Sequence, residues 1–453
     1  MRKTHAVLLL SSAVLYSAPF LWSDYCWWLI IAFPIPLFYL ACCTQLSCIH
    51  GYIWACLICA IHMSGGIYVM AAMAHEWWLV AVGLGIIMVL YHALWAGVLF
   101  AAGAFMVRAF CLQKAYQRLL IGVMLVWLFI VGIDWYSLSL FGVQEGYPLM
   151  HPLVLLAKKP HLLYLLPMVG KQILTIFFLM FSMGIVLVCW YGNLYSILFL
   201  GVVSMPWLLS IAMQRPPLPE CIWQQRIKGL PQMVCSQNPV IFVKIIHNSI
   251  KKIMQMHEST DIIIMPESAC TLDKVNDESE LLSCWDEHSL GKPVHLIFGA
   301  SRSDESYYYN SLHWVYNGVL QDYHDKKHAM LISERLPWFL DNSYFQAIYF
   351  TQRKQVTASC AVRTCIKIDD MIFVPYICSE LFCHENSDDE YPAAPIIAIV
   401  NDSLFLSSLS SAYIGDVLLL LARFKAIQWQ REIIYVSYAH CVVIDKQGTM
   451  HNI

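Results

Sequence analysis

Charged side chains are what this chain has least of. Only 13% of its 453 residues are Asp, Glu, Lys or Arg, while 59% are hydrophobic. A soluble domain carries about 25% charged residues, so a deficit of this size places part of the chain in lipid. A strong net charge is missing as well. The balance is -3 and no basic tract stands out, so nucleic acid is not an expected partner. The 17 histidines and 17 cysteines form no cluster at zinc spacing. The cysteines are spread over apolar and polar stretches alike, which favours buried thiols over a disulfide framework.

The scarcity is uneven. Up to Met213 there are eight Lys or Arg and four Asp or Glu, out of totals of 28 and 31. That pattern divides the chain into a polytopic α-helical membrane domain, residues 1–213, and a globular domain, residues 214–453, long enough for one large core. Seven hydrophobic segments approach the roughly 20 residues a bilayer demands: His5–Trp22, Cys26–Cys43, Tyr52–Ala72, Trp77–Val107, Leu119–Leu138, Gln172–Trp190 and Tyr195–Met213. The long fourth stretch reads as one helix, with a tight helical pair as the alternative. Arg2 and Lys3 precede the first segment, and Arg108, Lys114 and Arg118 lie between the fourth and fifth. Placing both clusters in the cytoplasm satisfies the positive-inside rule, and an odd number of spans sends the second domain to the opposite side. A cleaved signal peptide is the rival reading of the first segment. Residues 142–171, rich in Pro, Gly and apolar side chains, suggest an interfacial or re-entrant element, with a packed loop as the alternative.

After Met213 the pattern alternates. "VIFVKIIHNSIKKIMQMHE" has helical spacing, and "DIIIM" is a short buried strand ending at Pro266-Glu267. "VHLIFGAS", "YYYNSLHWVY" and "GVLQDYHDKKH" read as strands, the last two a hairpin turning at Asn317-Gly318. "MIFVPYICSE" is a strand ending at Cys378, "APIIAIVNDSLF" another, "DVLLLLARFKAIQWQRE" a helix, and "IIYVSYAHCVVIDKQG" two more extended runs. Interleaved strands and helices make this domain α/β or α+β, with layered sheets. Chemistry in such domains gathers at strand ends, and three strand or hairpin ends carry Glu267, Lys326 and Cys378. Singly these are a turn carboxylate, a surface lysine and a core thiol. Together they suit acyl transfer: a carboxylate takes the thiol proton, an ammonium stabilises the thiolate and then the oxyanion, and sulfur attacks a carbonyl. The backbone N–H of Ser379, next to the thiol, is a second oxyanion donor on this reading.

The ordered motifs "MPES" (265–268), "YHDKKHAMLISERLP" (323–337) and "CSE" (378–380) resemble the nitrilase, or carbon–nitrogen hydrolase, superfamily with its Glu–Lys–Cys triad. With several spans in front, the chain is most similar to the apolipoprotein N-acyltransferase family. The resemblance implies a nitrilase-like αββα sandwich, with Glu267 as base, Lys326 as stabiliser and Cys378 as nucleophile. The family's Tyr-Asp-Lys-Arg-His-Leu-Val-Pro-Phe-Gly-Glu loop aligns without gaps from Asp325 to Glu334, which makes Glu334 a supporting carboxylate. Glu380 falls where the family also has a glutamate and is expected to orient Lys326 or a partner's side chain. Asn310 lies in a further match, "YYNSL" (308–312), beside "NDSLF" (401–405), "ARFKAI" (422–427) and "VVIDKQG" (442–448).

What the family implies is a ping-pong cycle at a bacterial inner membrane, run by a monomer whose catalytic domain is periplasmic. An acyl chain passes from a phospholipid to Cys378 and then to the N-terminal amine of a lipoprotein, without metal or organic cofactor. Departures are visible. Ile332-Ser333 stands where the family has Phe-Gly, and Ser437-Tyr438-Ala439 where it has Asn-Thr-Gly. The family closes with one more transmembrane helix whereas this chain stops at Ile453, so tethering from one end is expected. These losses also suit a divergent TraB-like conjugal-transfer protein with another substrate. A membrane-anchored amidase or nitrilase is the third alternative.

Overall fold

The computed structural model describes residues 3–44, 46–73, 78–110, 112, 114–136, 151–213, 222–230, 239–257, 259–269, 291–303, 307–329, 334, 336, 341–344, 346, 356–357, 364–382, 391–403 and 412–453. The chain separates into two compact units, Met1–Arg215 with Ser408–Phe424, and Pro216–Ser407 with Lys425–Ile453.

The first unit is helical: α1 (Lys3–Leu21), α2 (Ser23–Cys26), α3 (Pro34–Cys43), α4 (Cys48–Met73), α5 (Trp78–Ala109), α6 (Ala115–Tyr136), α7 (Pro152–Leu156), α8 (Leu166–Tyr191) and α9 (Leu194–Ala212). Five stretches are long and apolar enough to cross a membrane: Lys3–Leu21, Gly85–Ala109, Ala115–Gly132, Leu166–Tyr191 and Leu194–Ala212. Two shorter apolar stretches, Trp27–Cys43 and Cys48–His62, accompany them. Seven segments were expected from the sequence; the third of them, Tyr52–Ala72, lies within the 26-residue helix α4. The second segment breaks because Pro34 and Pro36 cannot donate to a continuous helix; Trp27–Ala32 is a 3-10 turn and only then does α3 begin. Two carbonyls at this break find hydroxyl donors on other helices. Ser182 Oγ reaches Ile31 O at 2.9 Å and Ser12 Oγ reaches Phe33 O at 2.7 Å, which makes a broken helix tolerable in an apolar setting. The fourth stretch is one helix, α5, of 32 residues.

The starts of α1 and α4 and the end of α3 lie at the same end of the unit as the start of α6. His50 Nε2 is 3.2 Å from His5 Nδ1, and Arg118 Nη2 donates to Cys42 O at 2.7 Å. Helix α9 turns apolar side chains outward, Tyr195 being 82% and Leu194 and Val202 each 66% exposed, a surface suited to lipid. Of segment 142–171, residues 142–150 lie outside the described residues. Helix α7 is capped by His151, whose ring accepts from Leu153 N, and its residues Pro152–Leu156 are all buried. That part is packed within the helical unit. Gly170, at φ 78°, then kinks the start of α8, a conformation that glycine adopts at little cost.

The second unit is built on two sheets. The first has order β1-β2-β3-β4-β5, from β1 (Ile227–Gly229), β2 (Ile262–Ile264), β3 (His295–Ser303), β4 (Tyr308–Tyr316) and β5 (Val319–Asp325). The second has order β11-β10-β9-β8-β7-β6, from β6 (Ile366–Ile368), β7 (Met371–Ile377), β8 (Ile396–Ile399), β9 (Ile433–Val436), β10 (Cys441–Ile444) and β11 (Met450–Asn452). Each sheet has three parallel strands, β1-β2-β3 and β7-β8-β9. Their all-apolar centres (Ile262–Ile264, Ile396–Ile399) are what a strand covered on both faces requires.

Amphipathic α10 (Pro239–Met256) lays Ile250 and Met254 on Ile263, Leu296, Phe298 and Val315 of the first sheet. At the end of the last long helix, α12 (Ala412–Trp429), Trp429 packs its ring 6.0 Å from Tyr376 of the second sheet. The helix–sheet–sheet–helix layering is the expected αββα sandwich. The hairpin turns where expected, Asn317 and Gly318 both taking positive φ, at 48° and 76°, as a two-residue hairpin turn requires.

Candidate active site

Glu267 comes three residues after β2, at the carboxyl end of the parallel strands. The turn that carries it presses on β3 at Gly299, whose N–H donates to Pro266 O at 3.2 Å. A Cβ on Gly299 would come within 2.6 Å of Glu267 Cα, so only glycine lets the turn sit there. The carboxylate is 3% exposed. Its Oε1 accepts from Lys326 Nζ at 2.8 Å and from Asn310 Nδ2 at 2.6 Å, and its Oε2 accepts from Asn401 N at 3.0 Å.

Lys326 follows the last residue of β5. That residue, Asp325, is pinned to β4 by Ser311 and, across it, to β3 by Arg302 at 2.6 Å. Arg302 is itself held between Tyr309 and Tyr323 at 4.6 and 4.4 Å. Lys326 N donates to Asn310 O at 2.8 Å, so the backbone fixes the root of a side chain that is 1% exposed. Nζ donates to Glu334 Oε1 at 2.8 Å as well as to Glu267. Asn310 Nδ2 bridges the same two carboxylates, at 2.8 Å from Glu334 Oε1. Burial alone would strip this ammonium of its proton; the charges of Glu267 and Glu334 outweigh it and hold the amine protonated well above the usual lysine range.

Cys378 sits between β7 and the short helix α11 (Ser379–Phe382) with φ 46°. A side chain in that left-handed region is strained, and such strain gathers where geometry serves chemistry. Cys378 N donates to Ile399 O at 2.8 Å, which ties the turn to β8. Burial pushes the thiol well above its usual range, the Glu267 carboxylate adds to this through charge and a hydrogen bond, and Lys326 pulls the other way without reversing it. The sulfur is therefore protonated at rest and faces the group that can take its proton.

The remaining residues named from sequence also converge here. Glu334 lies in the network, whereas Ile332 and Ser333 are outside the described residues. Ser379 Oγ donates to His328 O at 2.6 Å, tying the thiol's turn to the Lys326 segment. Glu380, expected to orient Lys326 or a partner's side chain, instead grips backbone. It accepts from Ile377 N at 2.7 Å and Lys327 N at 2.8 Å, with His324 Nε2 at 3.2 and 3.3 Å from its two oxygens. His324 and Asn401 stand inside the quoted motifs "YHDKKHAMLISERLP" and "NDSLF" without a role read from sequence, and Gly299, a glycine inside the apolar strand "VHLIFGAS", carries a further legible sign. At the Ser437-Tyr438-Ala439 turn, Tyr438 N donates to Asp402 Oδ1 at 2.8 Å and its hydroxyl donates to Ser268 O at 3.3 Å. The C-x-x-C spacing of Cys56 and Cys59 was also passed over; both are free thiols on α4.

No family model matches the chain, and no curated protein matches its sequence. Among solved structures, an amidase from Nesterenkonia sp. aligns at TM-score 0.34 and 9% identity, over 49% of this chain and 83% of its own. A carbon–nitrogen hydrolase from Helicobacter pylori G27 aligns at 0.36 and 13%, over 49% and 83%. Nit3 of Saccharomyces cerevisiae, a member of branch 10 of the nitrilase superfamily, aligns at 0.34 and 16%, over 49% and 84%. These neighbours are carbon–nitrogen hydrolases.

Proposed function

We propose that the protein is a membrane-bound, cysteine-dependent N-acyltransferase that moves a fatty acyl chain from a phospholipid to the N-terminal amine of a lipoprotein. The observation that carries this reading is a buried carboxylate that receives Lys326 Nζ at 2.8 Å and faces the thiol of a strained strand-to-helix turn. In the first half-reaction Glu267 takes the Cys378 proton as sulfur attacks the ester carbonyl of the phospholipid. The C–O bond breaks, Glu267 returns the proton to the leaving alkoxide, and a lysophospholipid departs from a thioester. In the second, the amine attacks the thioester, its proton passes to Glu267, and sulfur leaves and is reprotonated. The Lys326 ammonium, protonated throughout, stabilises the oxyanion in both tetrahedral intermediates.

A lipid donor is supported by the five long apolar helices of the same chain and by the outward apolar face of α9. A bacterial inner membrane with the sandwich on its periplasmic side is supported by the basic residues. Lys3 opens α1, Arg108 closes α5 and Arg118 lies in the first turn of α6, where its guanidinium reaches the end of α3. A monomer needs no second copy to complete the network, since Glu267, Lys326, Glu334 and Asn310 all come from one chain.

The test is transfer in vesicles. Full-length protein with phosphatidylethanolamine labelled in its acyl chain and a diacylglyceryl-cysteine peptide should give labelled N-acyl peptide. Cys378→Ala should give none. Hydrolysis to free fatty acid with no peptide product would point to an amidase-like use of water, and neither product would contradict the proposal.

A further inference from the structure

The buried Glu380 carboxylate joins the two segments on which the proposed chemistry depends. One oxygen holds Ile377 N, directly before the thiol, and the other holds Lys327 N, directly after the ammonium. His324 Nε2 lies 3.2 and 3.3 Å from those same two oxygens. The imidazole is 3% and the carboxylate 0% exposed, so water does not substitute for the ring. A carboxylate removed from solvent keeps its charge and its rotamer only while donors surround it. His324 is also the residue before Asp325, and Asp325 is fixed by Arg302. The ring therefore rises from a rigid strand end and meets a carboxylate that has no freedom to follow a shorter or apolar replacement.

We infer that His324 is a positioning residue for acyl transfer: by donating to Glu380 it sets the distance between the Cys378 turn and the Lys326 segment. The inference rests on Cys378 being the nucleophile. His324 touches no reacting atom, and its action runs through Glu380 and two backbone N–H groups. Loss of the ring leaves substrate binding intact while misplacing sulfur relative to the ammonium, so it acts on kcat and not on KM.

The experiment compares full-length wild type with His324→Leu, His324→Asn and His324→Gln in detergent micelles, using a p-nitrophenyl fatty ester as acyl donor. Rates are normalised to the Cys378 found competent by intact mass after exhaustive acylation. Gln carries an N–H donor at nearly the reach of Nε2; Asn carries one that falls short; Leu carries none. His324→Leu and His324→Asn should lose about 10- to 100-fold in kcat with KM unchanged, and His324→Gln should recover most of it. Wild-type kcat in Leu and Asn would overturn the inference, as would a Gln variant that falls as far as Leu. If Leu fails to fold, the Asn and Gln pair decides. A Cys378→Ser control separates the two layers of argument. Undiminished ester turnover there removes the nucleophile assignment itself, whereas its loss beside unimpaired His324 variants removes only this inference.

Discussion

Burial and the Glu267 carboxylate both keep the proton on the Cys378 sulfur, while Lys326 opposes them. On the proposed mechanism a thiol so placed gains nucleophilicity by handing its proton to Glu267 as it attacks, not by resting as a thiolate. Glu267→Gln removes the negative charge that raises the thiol and leaves the ammonium beside it. Alkylation of Cys378 by iodoacetamide at neutral pH should then be faster than in wild type, while acyl turnover falls by about 10²- to 10⁴-fold. Slower alkylation together with undiminished turnover would contradict the assignment of Glu267 as base. The three chemical residues were legible in combination, because each follows a strand or hairpin and stands in one of three ordered motifs. Of their partners, Glu334 and Asn310 were legible in the matching motifs, whereas Asn401 and His324 were given no role. Asn401 meets Glu267 across 134 residues and His324 meets Glu380 across 56, and pairings set by sheet packing leave no local trace in sequence.

At the scale of elements, the longer strands and the hairpin could be read from β-branched and aromatic runs bounded by turn residues. Strands β1, β6 and β11 could not: they are three residues each, too short for periodicity to show, and unlike the equally short β2 they include a Lys, His, Asn or Gly in place of an unbroken apolar run. The broken second segment was hidden by composition: "WWLIIAFPIPLFYLACC" is apolar from end to end, and its prolines weighed less than its hydrophobicity.

Strand β4 holds a liability of its own. His313 is buried against Phe298, ring centroids 5.4 Å apart, and neither ring nitrogen has a partner. Burial pushes its pKa from 6.5 down to about 4. The unfolded chain therefore binds the proton first as pH falls, so stability present above the unfolded value is lost toward pH 4, by roughly 3 kcal/mol across the window. His313→Phe should flatten this loss. Thermal melting of the β-sheet signal between about pH 7 and pH 5 should fall less in the variant than in wild type. Parallel pH dependence in the two proteins would show that the ring does not matter to acid stability.

At the scale of the whole chain, charge is rationed between two kinds of surroundings. The helical unit places few ionisable groups among long apolar helices, whereas the second unit carries most of them and joins three, Glu267, Lys326 and Glu334, in one buried network. Composition alone suggests a boundary near Met213, close to where the compact units part at Arg215, but gives no sign that Ser408–Phe424 joins the first unit. A substrate delivered by lipid and a nucleophile protonated until needed belong to one account, whose common intermediate is a fatty acyl thioester. The intact mass of the full-length protein, taken after incubation with phosphatidylethanolamine and no acceptor, tests it most directly. The account predicts a gain of one acyl chain, mapped by peptide fragmentation to Cys378 and released by hydroxylamine. An unmodified Cys378 after such incubation, or the same gain in Cys378→Ala, would contradict it.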